Sequence, residues 1–408
     1  MARRGAAALV LTVSLTALVR AQPFAPRPHP VPSPPVVKVD RTAPPLMPVE
    51  TVWGLALNNP LTLPPAFDAS MVFFPIEGDR LVAYDLLSGE QKWLIAASPV
   101  QPPAAGGGLV FVLEAAVLKA LRATDGSVAW ELPFADTLAS RPVWDNGWLI
   151  VAAASGEVRA YRATDGQLIW QRDLKSPAHA APALAADRVY IPTTDGRIVA
   201  LRVESGEPLW ERRLGGAPND ILALDDRIYA GSKDTFFYCV LAADGKIDWR
   251  WRTGGDIIGR PVADERLVYF VSLDNVLRAM NLVTGGLQWM RPLPMRPAFG
   301  PVRAGSTIVV AGQEAPLRAY NIKDGVAAGT LTGSGAAPDA KTVAAPHAME
   351  HPLRRMPMLM LFSGDLAKGA SATLVMRSVE PALIDKVGPL LNLVQIAPVA
   401  PTTPPPRP

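Results

Sequence analysis

The residues HAMEH (347–351) place two histidines and a glutamate at the H-x-x-E-H spacing used by some zinc hydrolases. That chemistry needs a helix to bring both imidazoles to one face. Pro346 and Pro352 bracket the five residues, so a loop or strand is expected and zinc is not. Calcium would require several convergent carboxylates and carbonyls. The aspartates instead recur at turn positions, among them Asp145, Asp187, Asp195, Asp264 and Asp274, where hydrogen bonding to the local backbone explains them. Gly106-Gly107-Gly108 and Gly215-Gly216 lack the strand–loop–helix context of a phosphate cradle and read as turns. No Ser/His/acid arrangement is suggested, and His179, in SPAHAAPA, is expected on a solvated connection. Arg141 and Arg260 remain as candidates. Each opens an RPV triplet, each follows a tryptophan by eleven residues, and the pair could face an anionic partner on one rim of the fold. No catalytic, cofactor-binding or metal residue is assigned.

The elements that must position these residues come from a repeat. An Ala, a Gly six residues on and a Trp four beyond recur as Ala83/Gly89/Trp93, Ala120/Gly126/Trp130, Ala160/Gly166/Trp170, Ala200/Gly206/Trp210 and Ala279/Gly285/Trp289. Cys239/Gly245/Trp249 and Ala319/Gly325/Gly329 are imperfect copies. Seven copies at glycine spacings of 37 to 40 residues signal repeat architecture. Within residues 181–214, short β-branched runs are separated by Asp187, Asp195-Gly196 and Ser205-Gly206, giving four strands joined by tight hairpins. Four short antiparallel strands every 40 residues make a propeller blade. The small Ala lets a bulky group approach its strand, and the Trp of the outermost strand is expected to bury its indole between blades. Cys239 reads as a small buried substitute for Ala rather than a reactive thiol.

Trp53, in ETVWGLALN, lies 40 residues before Trp93 with no strands ahead of it, so it reads as a lone outer strand. RMPMLMLFSGD and ASATLVMRSVE near the C-terminus read as an inner pair without an outer partner. An all-β, eight-bladed propeller whose last blade is closed by the N-terminal strand accounts for both; seven blades is the alternative. Gly329, standing where the other units have Trp, is expected to leave its seam under-packed.

Apolar content of 49% with 19% charged residues suits a chain with a large core, and a net charge of +3 without a dense basic stripe argues against nucleic acid. Arg3 and Arg4 precede a 15-residue apolar run ending at Val19, and Val19-Arg20-Ala21 fits a cleavage site. Residues 1–21 therefore read as an export signal, leaving no transmembrane span after cleavage and a periplasmic or extracellular protein. Residues 22–48, with 10 prolines in 27 positions, read as an extended spacer that packs on nothing. The propeller is expected over 49–397 and a disordered Pro-rich tail over 398–408. One Cys excludes an intrachain disulfide, and none lies near the cut to accept a lipid.

The spacing resembles the pyrroloquinoline-quinone-type propeller repeat, close to A-x-D-x-x-T-G-x-x-x-W, over most of residues 49–396. In that family the Trp docks one blade onto the next, which gives roles to Trp53, Trp93, Trp130, Trp170, Trp210, Trp249 and Trp289 and to Gly89, Gly126, Gly166, Gly206, Gly245, Gly285 and Gly325. The family Asp stands only at Asp85; Arg122, Arg162, Arg202, Leu241, Asn281 and Asn321 replace it. The superfamily includes quinoprotein dehydrogenases, larger and built around quinone and calcium, and non-enzymatic outer-membrane assembly lipoproteins. The tight pitch and single Cys leave no room for the insertions and vicinal Cys pair of the former; the size and the blade closed by both termini resemble the latter, from which the missing lipid-acceptor Cys departs. The resemblance implies a monomeric, exported scaffold for protein partners without a cofactor; a quinone-dependent oxidoreductase or quinone-binding relic is the alternative.

Overall fold

Residues 183–213 show how one unit folds. Ala183–Ala185, Arg188–Pro192, Arg197–Arg202 and Pro208–Arg213 pair antiparallel in chain order. Apolar side chains dominate the middle two strands, which are buried on both faces, while the last strand alternates and carries charge toward solvent. The turn into it needs Gly206, whose φ of +66° a side chain would strain.

The computed structural model describes residues 43–314, 316–334, 340–365 and 369–378, and contains no helix among them. Seven sheets follow the same plan, at residues 66–96, 104–133, 143–173, 183–213, 218–252, 257–292 and 302–331, here blades 1 to 7. The first strands of successive blades approach one another, so they line the centre, and the fourth strands form the outer wall. Each apolar cluster draws on two neighbouring blades: Ile150, Ala160 and Trp170 of blade 3 pack with Val189, Ile191 and Val199 of blade 4. No blade covers both its faces alone, so the ring is the unit of stability.

Closure makes the eighth blade. Val49–Ala56 is its outermost strand, antiparallel to Gly369–Arg377, which pairs with Pro357–Asp365. The two C-terminal strands are thus the second and third of the blade, not an inner pair as the sequence suggested. The innermost position is filled by Lys341–Thr342 and His347–Glu350, both on Pro357–Asp365. The first four residues of HAMEH are therefore strand, too short to show an alternating pattern, and His351 lies just beyond it. The leader (1–21), residues 22–42, the last stretch expected in the propeller (379–397) and the tail (398–408) lie outside the described residues.

The end of the Pro-rich segment departs from expectation. Residues 44–48 are packed, not free. Leu46 is fully buried against Ala304, Val309, Leu317 and Leu361, and its N–H donates to Thr307 Oγ1 at 2.9 Å. Arg377 Nη1 donates to the carbonyls of Pro45 and Met47. Met47 Cε sits where a side chain on Gly329 would begin. The seam at Gly329 is thus filled, not under-packed. The physical reason lies in closure: the other tryptophans dock on the turn between a blade's third and fourth strands. In the closing blade those strands come from opposite chain ends, so no such turn joins them and the incoming segment fills the place instead.

Closure through both contacts predicts two costs. Leu46→Ala should lose about 3 kcal/mol as a fully buried truncation, and Trp53→Ala, whose indole is partly exposed, about 2 kcal/mol. Urea unfolding midpoints check this; a Leu46→Ala midpoint equal to wild type would show that the segment does not hold the ring.

Candidate functional site

The repeated residues meet at the blade seams. On the hairpin between third and fourth strands, each Ala pairs directly with its Trp: Ala83 with Trp93, Ala120 with Trp130, Ala160 with Trp170, Ala200 with Trp210 and Ala279 with Trp289. Cys239 pairs likewise with Trp249. The indole then reaches the next blade. Trp93 Nε1 donates to Ala123 O at 2.8 Å, Trp130 to Ala163 O at 2.9 Å, Trp170 to Val203 O at 2.6 Å and Trp210 to Ala242 O at 2.8 Å. Trp249, Trp289 and Trp53 do the same to Leu282, Ile322 and Leu86. Every acceptor lies three residues before a repeat glycine. A Cβ on Gly206 would lie 2.6 Å from Trp170 Cδ2, and Gly89, Gly126, Gly166, Gly245, Gly285 and Gly325 lie equally close under their own tryptophans. These glycines serve twice: positive φ for the turn and bare backbone for the indole.

The aspartates mostly bind their own turns. Asp85 Oδ1 accepts from the amides of Leu87 and Ser88, and Asn281 does the same for Val283 and Thr284. Where Arg122 and Arg162 replace the family Asp, Asp125 and Asp165 take over by accepting from Ser127 N and Gln167 N. At the second turns the charges pair off: Arg159 with Glu157 and Asp136, Arg197 with Asp195, Arg278 with Asp274. The two Gly-rich pieces are turns that receive neighbours, Gly106 and Gly107 under Trp144 of the next blade and Gly215 against Asp234. Trp144 is a docking residue that the repeat spacing could not reveal, because it stands outside the Ala–Gly–Trp frame.

HAMEH does not assemble a metal site. His347 stacks on Phe67 of blade 1, ring centroids 3.7 Å apart and 3° from parallel, and burial drives its imidazole down to about 4. His351 Nδ1 accepts from the amides of Leu353 and Arg354, closing a turn. Burial pushes the Cys239 thiol up to about 12, so it is neither nucleophile nor ligand. Among the described residues no group of three or more His, Cys, Asp or Glu converges for a metal, and a single Cys cannot form a vicinal pair.

What remains is one rim and the channel behind it. The connections between blades pair with the ends of second strands, Leu138 with Ala153, Ala178 with Thr193 and Pro297 with Gly312, so links and second turns do share a rim. A hollow of about 260 Å³ opens there between blades 4, 5 and 6, lined by His179, Asn219, Asp220, Lys233, Asp256 and Gly259 among others. Arg260 follows Gly259 of this lining on a bulge of the first strand of blade 6. Dehydration of its guanidinium, then the charge of Arg141, weakens its hold on its proton, while Asp220 and Asp145 oppose the loss. Among the described residues neither the Arg141 nor the Arg260 guanidinium has a hydrogen bond or an ion pair.

Comparison with known proteins follows the fold. The family model of the outer membrane protein assembly factor BamB matches residues 49–133, 114–224 and 219–341. BamB of Yersinia pestis is 27% identical over 110 residues, 26% of this chain, and the match spans little more than a quarter (28%) of that protein's length. BamB from Moraxella catarrhalis superposes with a TM-score of 0.62 at 20% identity, over 80% of this chain and 97% of its own. A quinohemoprotein alcohol dehydrogenase from Comamonas testosteroni superposes at 0.60 with 13% identity, over 80% and 76%. At these identities the structural likeness speaks for the fold alone.

The stacked histidine carries a pH signature. Its folded value near 4 lies below the ordinary 6.5, so the unfolded chain binds the proton first; stability is full above about pH 6.5 and is lost as pH falls toward 4. The slope is about 1.4 kcal/mol per pH unit. His347→Phe, which keeps a ring on Phe67, should flatten the decline between pH 6.5 and about 5, above most carboxylate titrations. Unfolding midpoints across that window test this, and an unchanged slope would contradict it.

Proposed function

The chain belongs to the family of the outer membrane protein assembly factor BamB, and from that premise we propose that it is an exported, non-catalytic propeller that presents its rim to protein partners in outer-membrane protein assembly. The observation that carries the proposal is the family match itself, which runs in overlapping stretches across residues 49–341. The chemistry of the surface agrees with it. The titratable side chains of the second turns are spent on one another and the aspartates of the hairpins on their own backbone, which suits a rigid display surface more than a reacting centre. The side of the ring where links and second turns meet offers relief in a hollow flanked by Lys233, His179 and Asp256 between blades 4 and 6.

Export rests on the sequence of residues 1–21, and no helix among the described residues is long and apolar enough to cross a membrane. In this proposal the protein acts in the periplasm, as a monomer and without a cofactor.

A photo-reactive amino acid in place of Lys233 should cross-link in intact cells to a component of the outer-membrane assembly machinery, whereas one in place of Lys92, on the outer wall of blade 1, should not. Deleting the gene should lower outer-membrane β-barrel proteins. Saturable, calcium-dependent binding of pyrroloquinoline quinone with dye-linked alcohol oxidation would overturn the proposal in favour of an oxidoreductase.

A further inference from the structure

The third strands carry a cation one residue before the repeat Ala in four blades: Lys119, Arg159, Arg278 and Arg318. Three of them are held by carboxylates, Lys119 by Glu114 at 2.5 Å, Arg159 by Glu157 at 2.6 Å and Arg278 by Asp274 at 2.6 Å. The fourth is not. Among the described residues the Arg318 guanidinium has neither hydrogen bond nor ion pair. Glu314 stands four residues before it, as Asp274 stands before Arg278, but the Glu314 segment bridges to Lys341 of the closing blade. Ala319 packs toward that closing blade, so Arg318 and Tyr320, on the other face of the same strand, look back at blade 6.

The neighbouring hydroxyl lacks a partner as well. In blade 1, Tyr84 pairs across the hairpin with Gln91, and its O–H donates to Gln91 Oε1 at 3.2 Å. Tyr320 holds the place of Tyr84, and its cross-strand neighbour is Ala327, whose side chain has nothing to accept with. Tyr320 is 6% exposed, and among the described residues its hydroxyl makes no hydrogen bond. Burial raises the phenol above its ordinary value, with the charge of Arg318 opposing, so the group stays an O–H donor at neutral pH.

Arg318 and Tyr320 line one cleft of about 520 Å³ between blades 6 and 7. The outer strand of blade 7 opens it. Where blade 6 has Leu287, Gln288 and Met290, and blade 4 has Pro208, Leu209 and Glu211, blade 7 has Ala327, Ala328 and Thr330. Arg291, Pro292 and Pro294 of blade 6 and its link make the facing wall. Arg291 donates to the carbonyls of Gly325, Met290 and Asp324, so its charge too meets no carboxylate. No acidic residue lines the cleft among the described residues, and Asp324, on the turn beside it, accepts from Val326 N at 2.9 Å. A guanidinium fork and a buried hydroxyl that share one cavity without an acceptor fit an oxyanion.

We propose that this cleft binds a small organic anion, its carboxylate or phosphate head accepting from Arg318 and Tyr320 and its apolar body lying against Pro292, Pro294 and Val326. The volume is that of a small-molecule pocket and far exceeds what a bare ion fills. Arg291, clamped by backbone carbonyls, adds positive field from the facing wall. The cleft lies between outer strands, so the site stands independently of which protein partner the rim meets.

Calorimetric titration of the full chain at low ionic strength with phenylacetate, phenyl phosphate and the uncharged phenylacetamide tests the site. At least one of the two anions should bind with a stoichiometry of one, and the amide about tenfold more weakly or worse. Arg318→Ala should weaken the anion by about tenfold or more, and Tyr320→Phe by less. Ala327→Gln, which gives Tyr320 the acceptor that Tyr84 has, should also weaken binding with the thermal midpoint unchanged, a loss that a merely structural role would not produce. Arg354→Ala, which removes the same charge from an exposed turn of the closing blade, should leave binding unchanged. Tighter binding of phenyl phosphate assigns a phosphate-bearing ligand, tighter binding of phenylacetate a carboxylate. Binding of neither anion, binding of the amide as tightly as the anions, or unchanged binding by Arg318→Ala with its thermal midpoint intact would overturn the proposal.

Discussion

An indole laid on a bare glycine holds this molecule together. Seven of the eight seams join a Trp, on an outer strand, to a turn in the next blade whose Gly has positive φ and whose carbonyl three residues earlier accepts the indole N–H. The contact buries a large apolar ring, satisfies its one donor and leaves no room for a Cβ, so it fixes spacing as well as affinity. Because each blade exposes an apolar face that only its neighbour can cover, the seams make a set of four-stranded sheets into one ring. The centre follows from this, because the seams set the angle at which the first strands of successive blades approach one another.

The closing blade shows what happens where this contact cannot form. Its outer strand and third strand come from opposite ends of the chain, so no hairpin turn connects them to receive an indole from blade 7. The chain has Gly329 where Trp would stand, and Leu46 and Met47 fill the gap from the other side. A position that looks degenerate within the repeat is adapted to a junction that occurs once.

Much of this was legible in the sequence because the seam writes itself as Ala, Gly and Trp at fixed intervals. The blade count, the role of Trp53 and the closure through residues 49–56 all follow from that frame. What escaped had no frame. Residues 44–48 were hidden by composition: prolines marked them as spacer, and only tertiary contact shows that Leu46 is core. The innermost strand of the closing blade is split into pieces of two and four residues, too short for any alternation to show. The bulges at Asn219 and Arg260 depend on how strands 218–223 and 257–263 of neighbouring blades meet side by side, a relation between units that a unit's own sequence does not contain. Arg141 and Arg260 could be picked out by their matching RPV settings, but the bulge that carries Arg260 could not.

The most direct test of the seam account is hydrogen exchange at the indole nitrogens, read by NMR with ten tryptophans resolved. Trp53, Trp93, Trp130, Trp170, Trp210, Trp249 and Trp289 donate across seams, whereas among the described residues Trp144, Trp148 and Trp251 have no acceptor for the indole N–H. Seven slowly exchanging indoles and three fast ones are expected, with Trp53 in the slow group. Trp53 exchanging as fast as Trp251, while the other six stay protected, would contradict closure of the ring through the N-terminal strand.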